Sequence, residues 1–287
     1  MATLDSWQKA EGSGQNDGAS PPCLLPTASA TGPCAGEPRQ RRGESGCSAA
    51  SGRLPPTDGG VVDCTGKSTR AINLAIRALI AAGESTITVR NPGGRHNLAV
   101  GLADEVAIEF DGPVGYFCGG MMDGPRLHVA GNCGWSVGED MLSGEIVVDG
   151  HAGNSAAAAI RGGTVVIRGD AGARAGVSMK GGLVIVGGSV GYMSGFMMQK
   201  GTIIVCGDVG PAVGDSMYEG QIFVAGSVDQ PGNDAVVSEP SGEDNTMLAE
   251  ALARQGLPHP GTFKRLTSGR RLWNFSKKEI GVWIEAL

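Results

Sequence analysis

Glycine returns every nineteen residues through the middle of this chain. Gly112, Gly131, Gly150, Gly169, Gly188, Gly207 and Gly226 form one column, and three positions on Gly115, Gly134, Gly153, Gly172, Gly191 and Gly210 keep the interval. A third column holds Gly119, Gly138, Gly176, Gly195 and Gly214, with Ala157 as its one departure. A fourth runs through Gly144, Gly163, Gly182, Gly201 and Gly220. No insertion breaks the register, and a fixed period of this size marks a stacked repeat. It also accounts for glycine at 49 of 287 residues, far above the usual share of about 7%. The period of three that collagen needs is absent.

The residues between the glycines say which repeat. Leu127–Val129, Ile146–Val148, Val165–Ile167, Val184–Val186, Ile203–Val205 and Ile222–Val224 are short branched runs, which at period two predict strands with one face buried. A second apolar ladder falls at Met122, Met141, Ile160, Met179, Met198 and Met217. Stacked coils turn each ladder into a continuous column inside a solenoid, and the flexible thioether of Met fills gaps between turns. The glycines are expected at corners, where a positive φ costs glycine nothing and where side chains stacked about 4.8 Å apart would crowd. Asn132, His151, Asp170, Ser189 and Asp208, each following a first-column glycine, read as turn formers at the same corner. Leucine-rich, hexapeptide and calcium-binding nonapeptide registers are all missing. The expected fold is all-β: a single-stranded right-handed β-helix of nineteen residues per coil, with flanking helices at each end.

One helix is predicted over 68–82, capped by Ser68 or Thr69, with Ile72, Ile76, Leu79 and Ile80 on one stripe and Gly83 ending it. A second is predicted over 246–255, capped by Asp244 or Asn245, buried through Leu248, Ala251 and Leu252, and stopped by Gly256 and Pro258. Residues 1–60, rich in Gly, Ser, Ala and Pro, read as a disordered N-terminal extension. The domains expected after it are a helical segment over 61–84, the β-helix over 85–230, and a C-terminal helix and tail over 231–287.

A net charge of −6 and a pI near 5.3 argue against a nucleic-acid partner, which wants a basic face. No apolar run approaches the roughly 18 residues that a membrane span needs, and the start lacks a signal-peptide core. The expectation is a soluble, cytoplasmic protein with no membrane partner. Seven cysteines, Cys23, Cys34, Cys47, Cys64, Cys118, Cys133 and Cys206, show no C-x-x-C pair and read as cytosolic thiols.

Chemistry is scarce. Cys118 lies among glycines with no evident His or acid partner, so it reads as a buried packing thiol, as do Cys133 and Cys206. His128 falls at an outward-facing strand step, His151 at a corner, and His259 between two prolines. His96, in Asn91-Pro-Gly-Gly-Arg-His96, sits in a polar turn at the first coil, where it either caps the turn or meets a partner. The glycine turns are not a dinucleotide fingerprint, which is one loop between a strand and a helix. The chain is expected to hold no catalytic, cofactor-binding or metal-ligating residue.

Coils such as Gly169-Asp-Ala-Gly172-Ala-Arg-Ala-Gly176 carry a G-x-x-G-x-x-x-G signature. With Asn91–His96, Gly115-Tyr-Phe-Cys118, Gly176-Val-Ser-Met-Lys180, Gly214-Asp-Ser-Met-Tyr218 and the tail Phe263–Arg265 and Ser268–Phe275, the chain over 61–275 resembles the GXGXG family. That family takes its name from a domain of the glutamate synthase large subunit, and the likeness is strongest to its free-standing members, the GlxC-like proteins and the B subunit of N-methylglutamate synthase. The resemblance implies a division of labour: a glutamine amidotransferase-like subunit releases ammonia, a glutamate synthase-like subunit with FMN and an iron–sulfur cluster uses it, and the GXGXG unit is a non-catalytic β-helical scaffold between them. No cofactor is expected on this chain. A rival placement is the C subunit of a formylmethanofuran dehydrogenase or formyltransferase/hydrolase complex, which shares the fold. Partner contacts are expected at the solenoid ends, through Arg95 and His96 at the first coil and Arg270, Arg271, Trp273 and Phe275 in the tail. A solenoid end leaves a strand edge unpaired unless something covers it. The competing reading of both segments is that they fold back as caps.

Overall fold

The computed structural model describes residues 60–271. The extension expected over 1–59, and Trp273 and Phe275, lie outside the described residues. In chain order the elements are β1 (Gly60–Asp63), α1 (Thr69–Ala81), β2 (Thr86–Arg90), β3 (Ala107–Phe110), β4 (Asp123–Val129), β5 (Ser143–Val148) and β6 (Thr164–Ile167). They continue with β7 (Lys180–Val186), β8 (Lys200–Val205), β9 (Gln221–Val224), β10 (Ala235–Ser238), α2 (Gly242–Arg254) and β11 (Lys264–Ser268).

The chain winds as a β-solenoid of about seven turns. Strands β1 to β9 pair in sequence and in parallel, and the sheet closes with β11 and then β10, both antiparallel. From β3 on, the pairing follows the repeat: Ile108 lies opposite Leu127, and then Ile146, Val165, Val184, Ile203 and Ile222 follow in one column. That column and the Met122, Met141, Ile160, Met179, Met198 and Met217 column are buried to 2% exposure or less. Each such side chain stabilises the fold by roughly 1.5–3 kcal/mol relative to exposure, and stacking makes the gain continuous along the axis. Single-residue bridges from Val114 through Cys133, Ala152, Ala171 and Val190 to Val209 make a further ladder at the corner.

The glycine columns divide into two physical classes, and only one matches the expectation of positive φ. In the third column every glycine has φ between +66° and +72°, and Ala157 shares the conformation at +57°. The first two columns have no positive φ. Their reason is crowding: a Cβ at Gly207 would stand 2.7 Å from the carbonyl carbon of Gly188, one coil back. The turn on which the third column sits is left-handed at alternate residues. Phe117, Ser136, Ser155, Arg174, Met193 and Ala212 precede it by two positions, and Met121, Asp140, Ala159, Ser178, Met197 and Ser216 follow it by two, all with φ between +52° and +60°. Their amides bond to carbonyls of the adjacent coil, as Phe117 N–H does to Trp135 O at 2.8 Å and Gly138 N–H to Cys118 O at 2.9 Å. Inter-coil hydrogen bonding holds non-glycine residues where isolated chains disfavour them.

Both helices form, with one boundary corrected. Ser68 caps α1, accepting from Ala71 N–H, and Gly83 follows the helix end at φ +94°. Ile72 and Ile76 bury the helix against the first coil. α2 starts four residues earlier than expected: its cap is Ser241, whose hydroxyl accepts from Asp244 N–H while Asp244 Oδ2 accepts from Ser241 N–H. Asp244 is the far partner of a capping box, not the cap itself.

The expectation that one strand face is buried is also corrected. The outward-facing Val147, Val166, Ile185, Ile204 and Phe223 are buried as well, under Leu248 and Leu252 of α2 and Phe263. α2 runs back along the solenoid axis, with Arg265 Nη1 3.4 Å from Asp244 Oδ2 at its start and Gln255 Nε2 donating to Glu145 Oε1 at 2.9 Å beyond its end. Where the helix stops, the outward column turns polar, at His128. That imidazole is buried as Nε2 meets Asp149 Oδ2 at 3.0 Å.

Candidate partner-binding surfaces

At the first coil, Arg95 and His96 are occupied in holding the turn. The Arg95 guanidinium donates to the carbonyls of Asn91 at 3.1 Å and Pro92 at 3.0 Å. His96 Nδ1 accepts from Tyr116 N–H at 2.9 Å, and its ring stacks on Tyr116 with centroids 4.4 Å apart. Beside them, Asn91 N–H donates to Asp111 Oδ1 and its side-chain amide to Asp63 Oδ1. The Asp63 carboxyl, which accepts first from Thr65 N–H and then from Asn91, is held down at about 2. The sequence leaves open whether this turn caps or binds; the hydrogen bonds of Asn91, Arg95 and His96 hold the turn, and Asn91 and His96 remain exposed.

At the other end, Arg270 adopts φ +57° and donates its amide to Ser268 Oγ at 3.1 Å, while Arg271 N–H reaches Asp234 Oδ2 at 2.9 Å. Both side chains are exposed. These two candidate groups sit at opposite ends of the sheet, one beside β2 and one beside β10, so they do not form a single site.

The corner residues read as turn formers have a more specific job. Asn132 Oδ1 accepts from His151 N–H at 2.8 Å, His151 Nδ1 from Asp170 N–H at 2.9 Å, Asp170 Oδ1 from Ser189 N–H at 2.8 Å, Ser189 Oγ from Asp208 N–H at 3.0 Å and Asp208 Oδ1 from Ser227 N–H at 2.8 Å. Each side chain satisfies the amide of the next coil. The bond from Ser227 holds the Asp208 carboxyl below its usual range. Burial pushes the Cys118 thiol up to about 12 and the Cys133 thiol up as well, so neither is a ready nucleophile at neutral pH. His259 packs edge-on against Phe263 at 5.4 Å. Among the described residues no group of three or more His, Cys, Asp or Glu is placed to hold a metal ion, and no helix is long and apolar enough to cross a membrane.

One surface escaped the sequence reading. The left-handed arc of each coil carries Tyr116, Trp135 and Tyr192 in a single column, and each is about half exposed. Tyr116 and Trp135 stack with centroids 5.3 Å apart. Met121, Leu142 and Met197 are exposed on the same arc. Multiples of nineteen link Tyr116, Trp135 and Tyr192, and Met121 with Met197, in the sequence, but their exposure was not visible there, because alternating left-handed residues reverse the usual in–out rule of a strand.

Parallel coils of nineteen residues, cornered by crowded glycines and joined through left-handed arcs, define a β-solenoid repeat protein. A family model described as the GXGXG motif matches residues 74–243, more than half of the chain, and the protein belongs to the GXGXG family. It is also similar to Protein GlxC of Rhizobium meliloti (strain 1021), at 40% identity over 70 residues. That match covers 24% of this chain and 31% of the relative, so it spans under a third of the relative's length.

Proposed function

We propose that this chain is a non-catalytic scaffold subunit of a glutamate-synthase-like complex, of the N-methylglutamate synthase type, working in the cytoplasm. It joins a glutamine amidotransferase-like subunit to a glutamate synthase-like subunit. Family membership and the likeness to GlxC support the glutamate-synthase-like setting. The observation that carries the scaffold role is that the repeat consumes its own reactive groups. Corner carboxylates and imidazole bind the next coil's amides, and the thiols of Cys118 and Cys133 are buried and held protonated. Thiols in that state do not suit an iron–sulfur cluster, which needs thiolates. The family resemblance assigns the cluster and the FMN to the synthase-like partner.

Co-expression of the full chain with amidotransferase-like and synthase-like subunits, followed by affinity purification, tests the reading. The expected result is a stable complex whose flavin and cluster absorbance leaves with the synthase-like subunit when the complex is dissociated. Isolation of the chain alone from such co-expression, or sustained turnover of glutamine and methylamine by the isolated chain, would overturn it.

A further inference from the structure

Elements of the chain itself pack on both ends and on one face of the solenoid, although Val61, Leu74, Val236 and Val237 stay exposed at the ends. α1 and the Asn91–His96 turn close one end, β11 and β10 the other, and α2 covers the outer face of the sheet. The arc face is left open. Because the coils stack in register, side-chain size alone sets its relief. In the aromatic column Trp135 and Tyr192 are separated by Asn154 and Ala173; in the parallel column Ala159 and Ser178 stand before Met197. Two low coils thus lie between two high ones, with Trp135 and Leu142 as one wall and Tyr192 and Met197 as the other. Walls three coils apart are roughly 14 Å apart at the usual strand spacing, and an α-helix with side chains is about 10–12 Å across.

The charges say what such a helix carries. Arg161 and Arg174 are exposed on the two low coils and form no ion pair among the described residues, and Lys180 stands one coil beyond Arg161. On this face Glu139 and Asp140 belong to the Trp135 coil and Asp123, in the column of Leu142 and Arg161, to the coil before it, so the two low coils carry cations alone. We propose that the groove between Trp135 and Tyr192 seats an amphipathic helix of a partner subunit, its apolar stripe on the floor and its carboxylates beside Arg161 and Arg174. Exposed apolar side chains beside unpaired charge are a usual mark of a contact surface, and a helix in a groove is a standard recognition mode. The assignment rests on the scaffold reading for the source of the helix, but the groove can be probed without it.

Two labelled 18-residue helical peptides share one leucine stripe and differ in carrying glutamate or lysine on the polar face. Titrated with the full chain, the glutamate peptide is expected to bind at least tenfold more tightly than the lysine peptide. Arg161→Glu with Arg174→Glu should abolish the preference, and Trp135→Ala with Tyr192→Ala should weaken binding at least tenfold, both with an unchanged circular dichroism spectrum. Equal binding of the two peptides, binding by neither, or indifference to these variants would overturn the groove. In co-expression the same variants should lose at least tenfold in recovered complex. If arc variants assemble like the wild type, the groove assignment falls and the scaffold stands. If the glutamate peptide binds as expected but the wild type assembles with neither subunit, the scaffold falls and the groove stands.

Discussion

The carboxylate Oδ1 of Asp170 accepts the amide hydrogen of Ser189 at 2.8 Å, one coil further on. The same relation links Asn132 to His151 and Asp208 to Ser227, so side chains at the corner complete the inter-coil hydrogen bonding that short strands begin. Asp170→Ala should cost about 0.5–1.5 kcal/mol, the net value of one hydrogen bond, because water can reach the exposed amide. Asp170→Asn keeps an acceptor and should stay close to the wild type. Denaturant unfolding of the two variants checks the difference.

Two glycines without positive φ differ in what a methyl group would meet. At Gly207 a Cβ meets the Ser189 hydroxyl at 2.6 Å and the Gly188 backbone at 2.7 Å, and backbone cannot step aside. Gly207→Ala should destabilise by about 1–3 kcal/mol, the range of an overpacked core. At Gly220 the obstruction is the Met198 thioether, with Sδ at 2.5 Å and Cε at 2.6 Å. Its adaptable rotamers should hold the cost of Gly220→Ala below that of Gly207→Ala in the same unfolding experiment.

Ala157 stands where the column otherwise holds glycine, and the register explains why it is tolerated. A Cβ at Gly195 would meet Ile203 and Ile222, and one at Gly176 would meet Ile203. The positions related to Ala157 by the same offsets are Val165 and Val184, which lack the δ-methyl. Val184→Ile should therefore destabilise by about 1–3 kcal/mol, and Ala157→Gly in the same chain should recover most of that loss. A double-mutant cycle showing independent effects would refute the pairing.

The acid limb of the stability curve should carry a contribution from Asp63. Its carboxyl is held at about 2, against 3.8 for an unperturbed aspartate, chiefly by the Thr65 N–H. A lowered folded-state value means that its stabilisation is fully present above pH 3.8 and is lost as the pH falls toward 2. The melting-temperature gap between wild type and Asp63→Ala should narrow over that interval and be flat above it.

What the sequence made legible was whatever repeats. Nineteen-residue columns located every strand from β4 to β9, the buried Met ladder and the corners, since stacking forces equivalent residues into one line. What it hid depends on context outside the repeat. Val147, Val166 and Ile185 look like any strand residue until α2 covers them, so the second buried face went unread. Strands β1, β10 and β11 sit beyond the period and have no column to betray them. The left-handed conformation of Ser136, Arg174 and Met193 is imposed by neighbouring coils and leaves no signature in the side chain. For the same reason Trp135 and Tyr192 could not be placed on an open face. The polarity of Arg95 and His96 was legible, but not that their side chains hydrogen-bond within their own turn and to the next coil.

Helix α2 limits how far this architecture can vary. Its thirteen residues span about 20 Å at 1.5 Å each, and the apolar outward column beneath it, Val147 to Phe223, crosses four coil spacings of about 4.8 Å. Excising one nineteen-residue unit from that stretch would leave every strand pairing in register. It would also carry Gln255 one coil past Glu145 and set the end of the helix over His128. A seamless repeat can ordinarily gain or lose units without penalty. Here a single helix acts as a gauge that fixes the unit number beneath it, and natural length variation should be confined to coils the gauge does not touch.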